Sequence, residues 1–174
     1  MIKQSPLDED FRRHTSELLS SAKKNILIIA GEVGSFKFFD LRMVAKKAHE
    51  RGVRIRVYAN QPSIGIINKL LTYGVELYLG EKKVRDHYLV VDGNSWIHSE
   101  EHPPDQIGLR KGYVYKNDPK GASRIIKLFN ELITKAKKIE EPKWDEDPLW
   151  FMLQNPLDWS VETNSSKFDE EFPR

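Results

Sequence analysis

Cysteine is absent from the 174 residues of this chain. Without it the protein has no disulfide, no thiol nucleophile and no thiolate metal ligand. The apolar runs fall short of the roughly 20 residues that a helix needs to cross a bilayer, and the first fourteen residues lack the apolar segment of a secretory signal. From these absences we expect a cytoplasmic protein with no membrane span, and we expect no bound cofactor.

The charge is unevenly distributed, although the net charge is only +2. Residues 140–174 hold ten acidic and three basic side chains, a net charge of −7, and residues 1–139 hold 25 basic and 16 acidic ones, a net charge of +9. A basic body of this kind is typical of proteins with an anionic partner, such as a nucleic acid or a phosphorylated ligand.

The acidic stretch 140–174 also contains three of the four tryptophans. Because disordered segments are usually poor in aromatic residues, we expect it to dock onto its own body, a partner subunit or another protein. Alternatively, it covers the basic body and mimics an anionic ligand. The expected anchors are Trp144, Trp150, Phe151 and Trp159.

Strand and helix patterns alternate through residues 6–139. Residues 25–31 are a continuous apolar run, which predicts a strand buried on both faces. Helix followed by strand twice in succession predicts right-handed βαβ units. Asp118 and Pro119 predict the start of the last helix, with the aspartate as its N-cap. The sequence thus predicts an α/β domain over 1–139, with a mixed, largely parallel sheet flanked by helices, and a separate segment over 140–174.

Polar residues concentrate in the stretch 84–103, which contains three of the five histidines. Two β-rich segments there flank Gly93-Asn94, a two-residue turn signal that sets Asp92 opposite Ser95. This register opposes Leu89 to His98, His87 to Glu100 and Arg85 to His102. Strand alternation then places Arg85, His87, Glu100 and His102 on one face, either as a binding site or as a solvated surface with cross-strand charge pairs.

The order of elements, with one strand ending in Leu-Val-Val-Asp-Gly, resembles the phospholipase D superfamily over about residues 20–139. Its members carry His-x-Lys-x4-Asp on the strand entering the Asp-Gly, and Gly-Ser on the next strand. The resemblance implies hydrolysis of phosphodiesters through a phosphohistidine, at a site where two motifs meet. It therefore implies a homodimer for a chain with a single motif.

Aligned on Asp92-Gly93, the motif of this chain is Arg-x-His-x4-Asp, with Ser99-Glu100 at the Gly-Ser position. Arg85 stands where the family has its nucleophilic histidine, and His87 stands where it has lysine. Arginine keeps its proton at any workable pH and cannot attack phosphorus. Shifting the alignment by two makes His87 the family histidine but puts Leu89 and Asn94 where lysine and aspartate belong. We therefore predict a catalytically degenerate module.

The leading hypothesis is a domain that binds an anionic ligand, a phosphate or a nucleic acid, or a protein partner. The predicted ligand-binding residues are Arg85, His87, Asp92, His98, Ser99, Glu100 and His102. The alternative is an active phosphodiesterase or nuclease in which His87 attacks and Glu100 or His102 handles protons. A third is an adaptor that works through 140–174. Zinc bound by the same three catalytic candidates is disfavoured by the nearby arginine, so we expect no metal.

Two further regions have an open interpretation. The loop Gly31–Ser35 is either an anion-binding loop or a plain connection between strand and helix. Several basic residues of the last helix and just beyond it fall largely outside its apolar face, as a solvated surface or as a nucleic-acid-binding stripe. They are Lys120, Arg124, Lys127, Lys135, Lys137 and Lys138.

Overall fold

The computed structural model describes residues 8–30, 41–60, 64–100 and 112–143. Within these ranges the helices are α1 (Asp8–Ser21), α2 (Leu41–Glu50), α3 (Ile64–Thr72) and α4 (Pro119–Ile133). The strands are β1 (Asn25–Ala30), β2 (Arg54–Ala59), β3 (Glu76–Leu79), β4 (His87–Val91), β5 (Ser95–Ser99), β6 (Gly112–Tyr115) and β7 (Lys137–Ile139).

The described strands form one sheet in the order β6-β5-β4-β1-β2-β3-β7. The pairs β1–β2 and β2–β3 are parallel, and the other four pairings are antiparallel. The predicted mixed α/β class is confirmed. The description as largely parallel is wrong. Only β1, β2 and β3 are parallel neighbours, connected by the crossover helices α2 and α3, and each of the strands β4 to β7 pairs antiparallel with its neighbours.

Helices cover both faces of the sheet. Alternate residues of β1 belong to two apolar clusters, one on each face of the sheet. Ile26 and Ile28 pack with α1, α2 and α3, and Leu27 and Ile29 pack with α4. We call these the three-helix face and the α4 face. Residues 26–30 are at most 1% exposed, which confirms the predicted strand buried on both sides.

Helix α4 begins as predicted. Asp118 is its N-cap, with Oδ1 accepting a hydrogen bond from the Gly121 N–H at 3.1 Å, and Pro119 occupies the first turn, where no backbone donor is needed. Its basic residues Lys120, Arg124 and Lys127 are exposed, as expected for the side opposite the core.

Strand β7 was not predicted. Its three residues, Lys137–Ile139, pair antiparallel with β3 and extend the sheet at that edge. The separation of 140–174 as an independent segment stays a prediction. Among the residues whose structure is described, no helix is both long and apolar enough to cross a membrane.

Candidate anion-binding site

The connection between β3 and β4 passes the end of β2, where Asn60, the residue directly after that strand, holds it. Its Nδ2 donates to the carbonyl oxygens of Gly80 at 2.8 Å and of Lys82 at 2.7 Å. Its Oδ1 accepts from the Val84 N–H at 3.3 Å. One amide side chain thus makes hydrogen bonds with three backbone groups that lie outside regular structure.

Tyr58 of β2 also holds this connection. This residue is 1% exposed, and its hydroxyl donates to the Lys82 carbonyl at 2.8 Å. Burial raises the pKa of Tyr58, so the phenol stays protonated and remains a donor. The backbone of Gly80 lies directly against this ring, because a Cβ at Gly80 would overlap the Tyr58 hydroxyl. The connection therefore has a fixed path.

Three basic side chains extend from this fixed backbone. Lys82, Lys83 and Arg85 are all exposed, within four positions of one another. The exposed carboxylate of Glu81 lies beside them, and Asp86 follows. The segment is therefore basic by one charge overall, with its cations directed to solvent and held by a backbone that does not need to be ordered when a ligand binds.

The register of the β4–β5 hairpin differs from the prediction by one residue. Val91 pairs with Ser95, Leu89 with Ile97 and His87 with Ser99. The reason lies in the turn: Asp92 and Gly93 take the positive φ angles of 51° and 65°, rather than Gly93 and Asn94. Because side chains alternate in a strand, a shift of one residue moves each partner to the other face.

The predicted pairing of His87 with Glu100 is therefore wrong. His87 lies on the three-helix face with Leu89 and opposite Ser99, whereas His98 lies on the α4 face opposite Tyr88. Arg85 and Glu100 lie outside the paired residues of β4 and β5, and position 100 no longer opposes His87. Of the predicted ligand-binding residues, the structure brings together His87 and Ser99, with Arg85 two positions before the histidine.

His98 belongs to a separate group on the α4 face. Its Nε2 lies 2.9 Å from Asp86 Oδ2, and its ring is stacked between Tyr88 and Tyr113 of the two neighbouring strands. Burial, followed by the negative charge of Asp86, raises the pKa of Tyr88, which stays a neutral phenol. The two tyrosines were not among the predicted residues; the correct hairpin register would have revealed Tyr88 beside His98.

Asp92 lies at the opposite end of β4 from His87, about 16 Å away at the rise of a strand. Its carboxylate accepts hydrogen bonds from three consecutive backbone N–H groups, those of Lys23, Lys24 and Asn25, at 2.8–2.9 Å. Burial acts to raise the pKa of Asp92, but these three donors outweigh it, and the pKa is lowered. Its oxygens are thus engaged in joining the hairpin turn to the start of β1.

Several predicted residues lie outside the described residues. They are His102, the loop Gly31–Ser35, and the anchors Trp144, Trp150, Phe151 and Trp159. Within the described ranges, no group of three or more His, Cys, Asp or Glu side chains is arranged to hold a metal ion. A zinc site that includes His102 is therefore not tested.

Solved structures share this fold. Nuc from Salmonella typhimurium, a phospholipase D family member, aligns with a TM-score of 0.60 and 17% identity, over 73% of this chain and 91% of its own. NucT from Helicobacter pylori aligns with a TM-score of 0.58 and 12% identity, over 76% of this chain and 92% of its own. The predicted phospholipase D-like fold is confirmed.

An archaeal chromatin protein shares the fold as well. TrmBL2, an archaeal chromatin protein whose structure shows a mode of DNA binding, aligns with a TM-score of 0.61 and 20% identity. The alignment covers 79% of this chain and 52% of TrmBL2, so this chain corresponds to about half of that protein. No protein-family model matches the sequence, and the search of curated proteins gave no match either.

Proposed function

We propose that this domain binds the phosphodiester backbone of a nucleic acid through the segment 81–86 and does not carry out the hydrolysis implied by the phospholipase D resemblance. One observation carries the proposal. Arg85, which the alignment on Asp92-Gly93 puts at the position of the family nucleophile, follows a backbone that Asn60 and Tyr58 hold in place.

The chemistry of this segment favours binding. A guanidinium group offers two parallel N–H donors to a phosphate, and Lys82 and Lys83 add two exposed ammonium groups beside it. The net charge of +9 over residues 1–139 raises the local concentration of an anionic polymer. The shared fold of TrmBL2, described as a DNA-binding chromatin protein, supports the same class of ligand.

The same residues argue against hydrolysis. The Arg85 guanidinium keeps its proton and has no lone pair to offer phosphorus. The rearranged mechanism was predicted with Glu100 opposite His87 to orient its ring, and the residue paired with His87 in the sheet is Ser99.

The test is fluorescence anisotropy with a labelled oligonucleotide of about 20 nucleotides, single-stranded and duplex, at 50 and 200 mM salt. The double variant Lys82→Ala/Lys83→Ala should bind more weakly, and the slope of log affinity against log salt should fall by roughly 1.4–1.8, as expected when two phosphate contacts are removed. Arg85→Ala should weaken binding further.

A matched control removes two exposed lysines at the opposite end of the sheet. In Lys23→Ala/Lys24→Ala the net charge changes by the same amount, and the backbone N–H groups that bind Asp92 remain. If both double variants lose the same affinity, binding follows overall charge and the proposed segment is not the site. If wild type binds neither oligonucleotide at 50 mM salt, the proposal is wrong altogether.

The alternative function, phosphodiester hydrolysis centred on His87, is tested with the same preparation. Turnover of a generic phosphodiester that is abolished by His87→Ala would establish it in place of the proposal. The homodimer implied by the family resemblance is a further part of the proposal, and sedimentation equilibrium should give twice the chain mass. A monomer that still binds nucleic acid would remove the dimer and leave the binding proposal standing.

A further inference from the structure

Three aromatic rings lie in a row across the α4 face, one on each of three neighbouring antiparallel strands. Tyr88 of β4 and His98 of β5 have ring centroids 5.0 Å apart and planes 9° from parallel. His98 and Tyr113 of β6 have centroids 5.9 Å apart and planes 26° from parallel. Strand pairing makes His98 the direct neighbour of both tyrosines, so the row follows from the sheet itself.

The row is only half-buried, in contrast to a second aromatic pair on the same face. Trp96, two positions before His98, is 8% exposed and stacks on Tyr115 at 3.9 Å beneath the first turn of α4, against the backbone of Gly121. The His98 side chain keeps 21% of its surface exposed, and Tyr88 and Tyr113 are also intermediate in burial. Trp96 is thus buried in the core, whereas the rings of the row keep part of their surface exposed to solvent.

Two features prepare the row for a ligand. Asp86 holds the His98 ring through Nε2 at 2.9 Å, so the middle ring has a fixed orientation before anything binds. Asp86 also follows Arg85 directly, so the residue that holds the middle ring is the next one in the chain after the basic residues Lys82, Lys83 and Arg85. Pre-ordered aromatic groups next to cations are the arrangement by which proteins bind single strands, with rings contacting bases and cations contacting phosphates.

We propose that this row, which ends in Tyr113 on the edge strand β6, is a stacking platform on which an unpaired base packs against the Tyr113 ring, so that the domain selects single-stranded nucleic acid over duplex. This inference rests on the proposed function, since Lys82, Lys83 and Arg85 supply the backbone contacts. Bases in a duplex have their faces covered by neighbouring base pairs, whereas an unpaired base can place one face on an aromatic ring.

The experiment compares three labelled ligands with equal numbers of nucleotides per strand: oligothymidine, an abasic strand with the same phosphates, and a duplex. Wild type should bind oligothymidine at least fivefold more tightly than the abasic strand, the lower range for stacking one base. Tyr113→Leu should lose this preference and bind the abasic strand as wild type does. Tyr113→Phe keeps the ring and should keep the preference.

Tyr115→Leu is the matched control, because Tyr115 lies on the same strand and face but stacks on Trp96. It should retain the preference for oligothymidine, with folding of every variant checked by circular dichroism. Equal affinity of wild type for oligothymidine and the abasic strand, or loss of affinity for both ligands in Tyr113→Leu, overturns the inference. The proposed function is tested separately: Lys82→Ala/Lys83→Ala must weaken both single-stranded ligands alike.

Discussion

The Asp118 carboxylate joins the start of α4 to the indole of Trp96. Its Oδ2 accepts a hydrogen bond from the Trp96 Nε1–H at 2.9 Å, and its Oδ1 accepts from the Gly121 N–H at 3.1 Å. The indole donor first, and then the backbone donor, lower the pKa of Asp118. One side chain thus caps the helix and fixes it on β5.

We expect Asp118→Ala to lower the thermal unfolding midpoint, because it leaves a helix N–H and the indole N–H without an acceptor. Asp118→Asn, which keeps one carbonyl oxygen, should cost less. Thermal unfolding followed by circular dichroism measures both. In a Trp96→Phe background, Asp118→Ala should lower the thermal unfolding midpoint by less, since the hydrogen bond between the two residues is already absent. Equal effects in the two backgrounds would contradict the coupling.

The second prediction concerns acid sensitivity at Asp92. Its folded pKa is lowered from the ordinary value of 3.8, so the stability it contributes is fully present above that value. That contribution is lost as the pH falls through the folded pKa. Asp92→Asn, which tolerates the positive φ of 51°, should therefore cost about 2 kcal/mol at pH 7 and clearly less at pH 3.

Urea unfolding of wild type and Asp92→Asn at the two pH values provides the measurement. Asp92→Ala should be more destabilising at pH 7 than the asparagine variant, because alanine also strains the left-handed backbone. Wild type and Asp92→Asn could instead differ in their free energy of unfolding by the same amount at pH 7 and pH 3. That result would show that the three N–H groups do not depend on the charge of the carboxylate.

Local chemistry explains which elements could be predicted from the sequence. The start of α4 follows from Asp118 and Pro119, which act on backbone groups within the next three residues. The buried strand β1 follows from a run of apolar side chains in residues 26–30. Strand β7 escaped prediction because a three-residue strand with two lysines has no apolar alternation. Its place in the sheet depends on β3, which lies almost sixty residues earlier.

The hairpin register could not be predicted for the same reason. Asp92 takes a positive φ while its carboxylate binds N–H groups 67–69 residues away, a contact that the local turn signal of Gly93-Asn94 does not contain. The error of one residue was sufficient to pair His87 with Glu100 instead of Ser99. The support of the segment after β3 by Asn60 also joins residues 20 and 22 positions apart.

The third prediction concerns Arg56, whose guanidinium lies 5.3 Å from the centre of the Phe129 ring. Its Nε is buried and makes no hydrogen bond with any residue in the described part of the chain, and the neighbouring Glu76 carboxylate is held by Arg54 at 3.0 Å. Arg56→Met keeps an unbranched apolar stem that can pack on Phe129 and removes the charge together with the buried Nε–H.

We therefore expect Arg56→Met to leave the free energy of unfolding within about 1 kcal/mol of wild type, or to raise it, because the loss of the cation–π contact is small. Arg56→Ala should be more destabilising, since it also removes the packing on Phe129. Urea unfolding at pH 7 distinguishes the two variants. If methionine is as destabilising as alanine, the guanidinium itself contributes to stability.

The last prediction links the path of the segment after β3 to binding. A Cβ at Gly80 overlaps the Tyr58 hydroxyl and ring, so Gly80→Ala must displace the segment that carries Lys82 and Arg85. We expect this variant to lose about 1–3 kcal/mol of stability, the usual cost of overpacking, and to bind oligonucleotides more weakly. Tyr58→Phe keeps the ring and removes the hydroxyl that donates to the Lys82 carbonyl, so it should reduce binding less.

Gly52→Ala is the control for a glycine substitution that cannot act through this segment. Gly52 has a φ of 71°, and no atom of the described residues lies within 4 Å of an added Cβ, so alanine there costs roughly 1 kcal/mol of backbone strain. Its oligonucleotide affinity should equal that of wild type at a temperature where all variants are folded. Unchanged affinity in Gly80→Ala, at the same temperature, would mean that the supported path of the segment is not needed for binding.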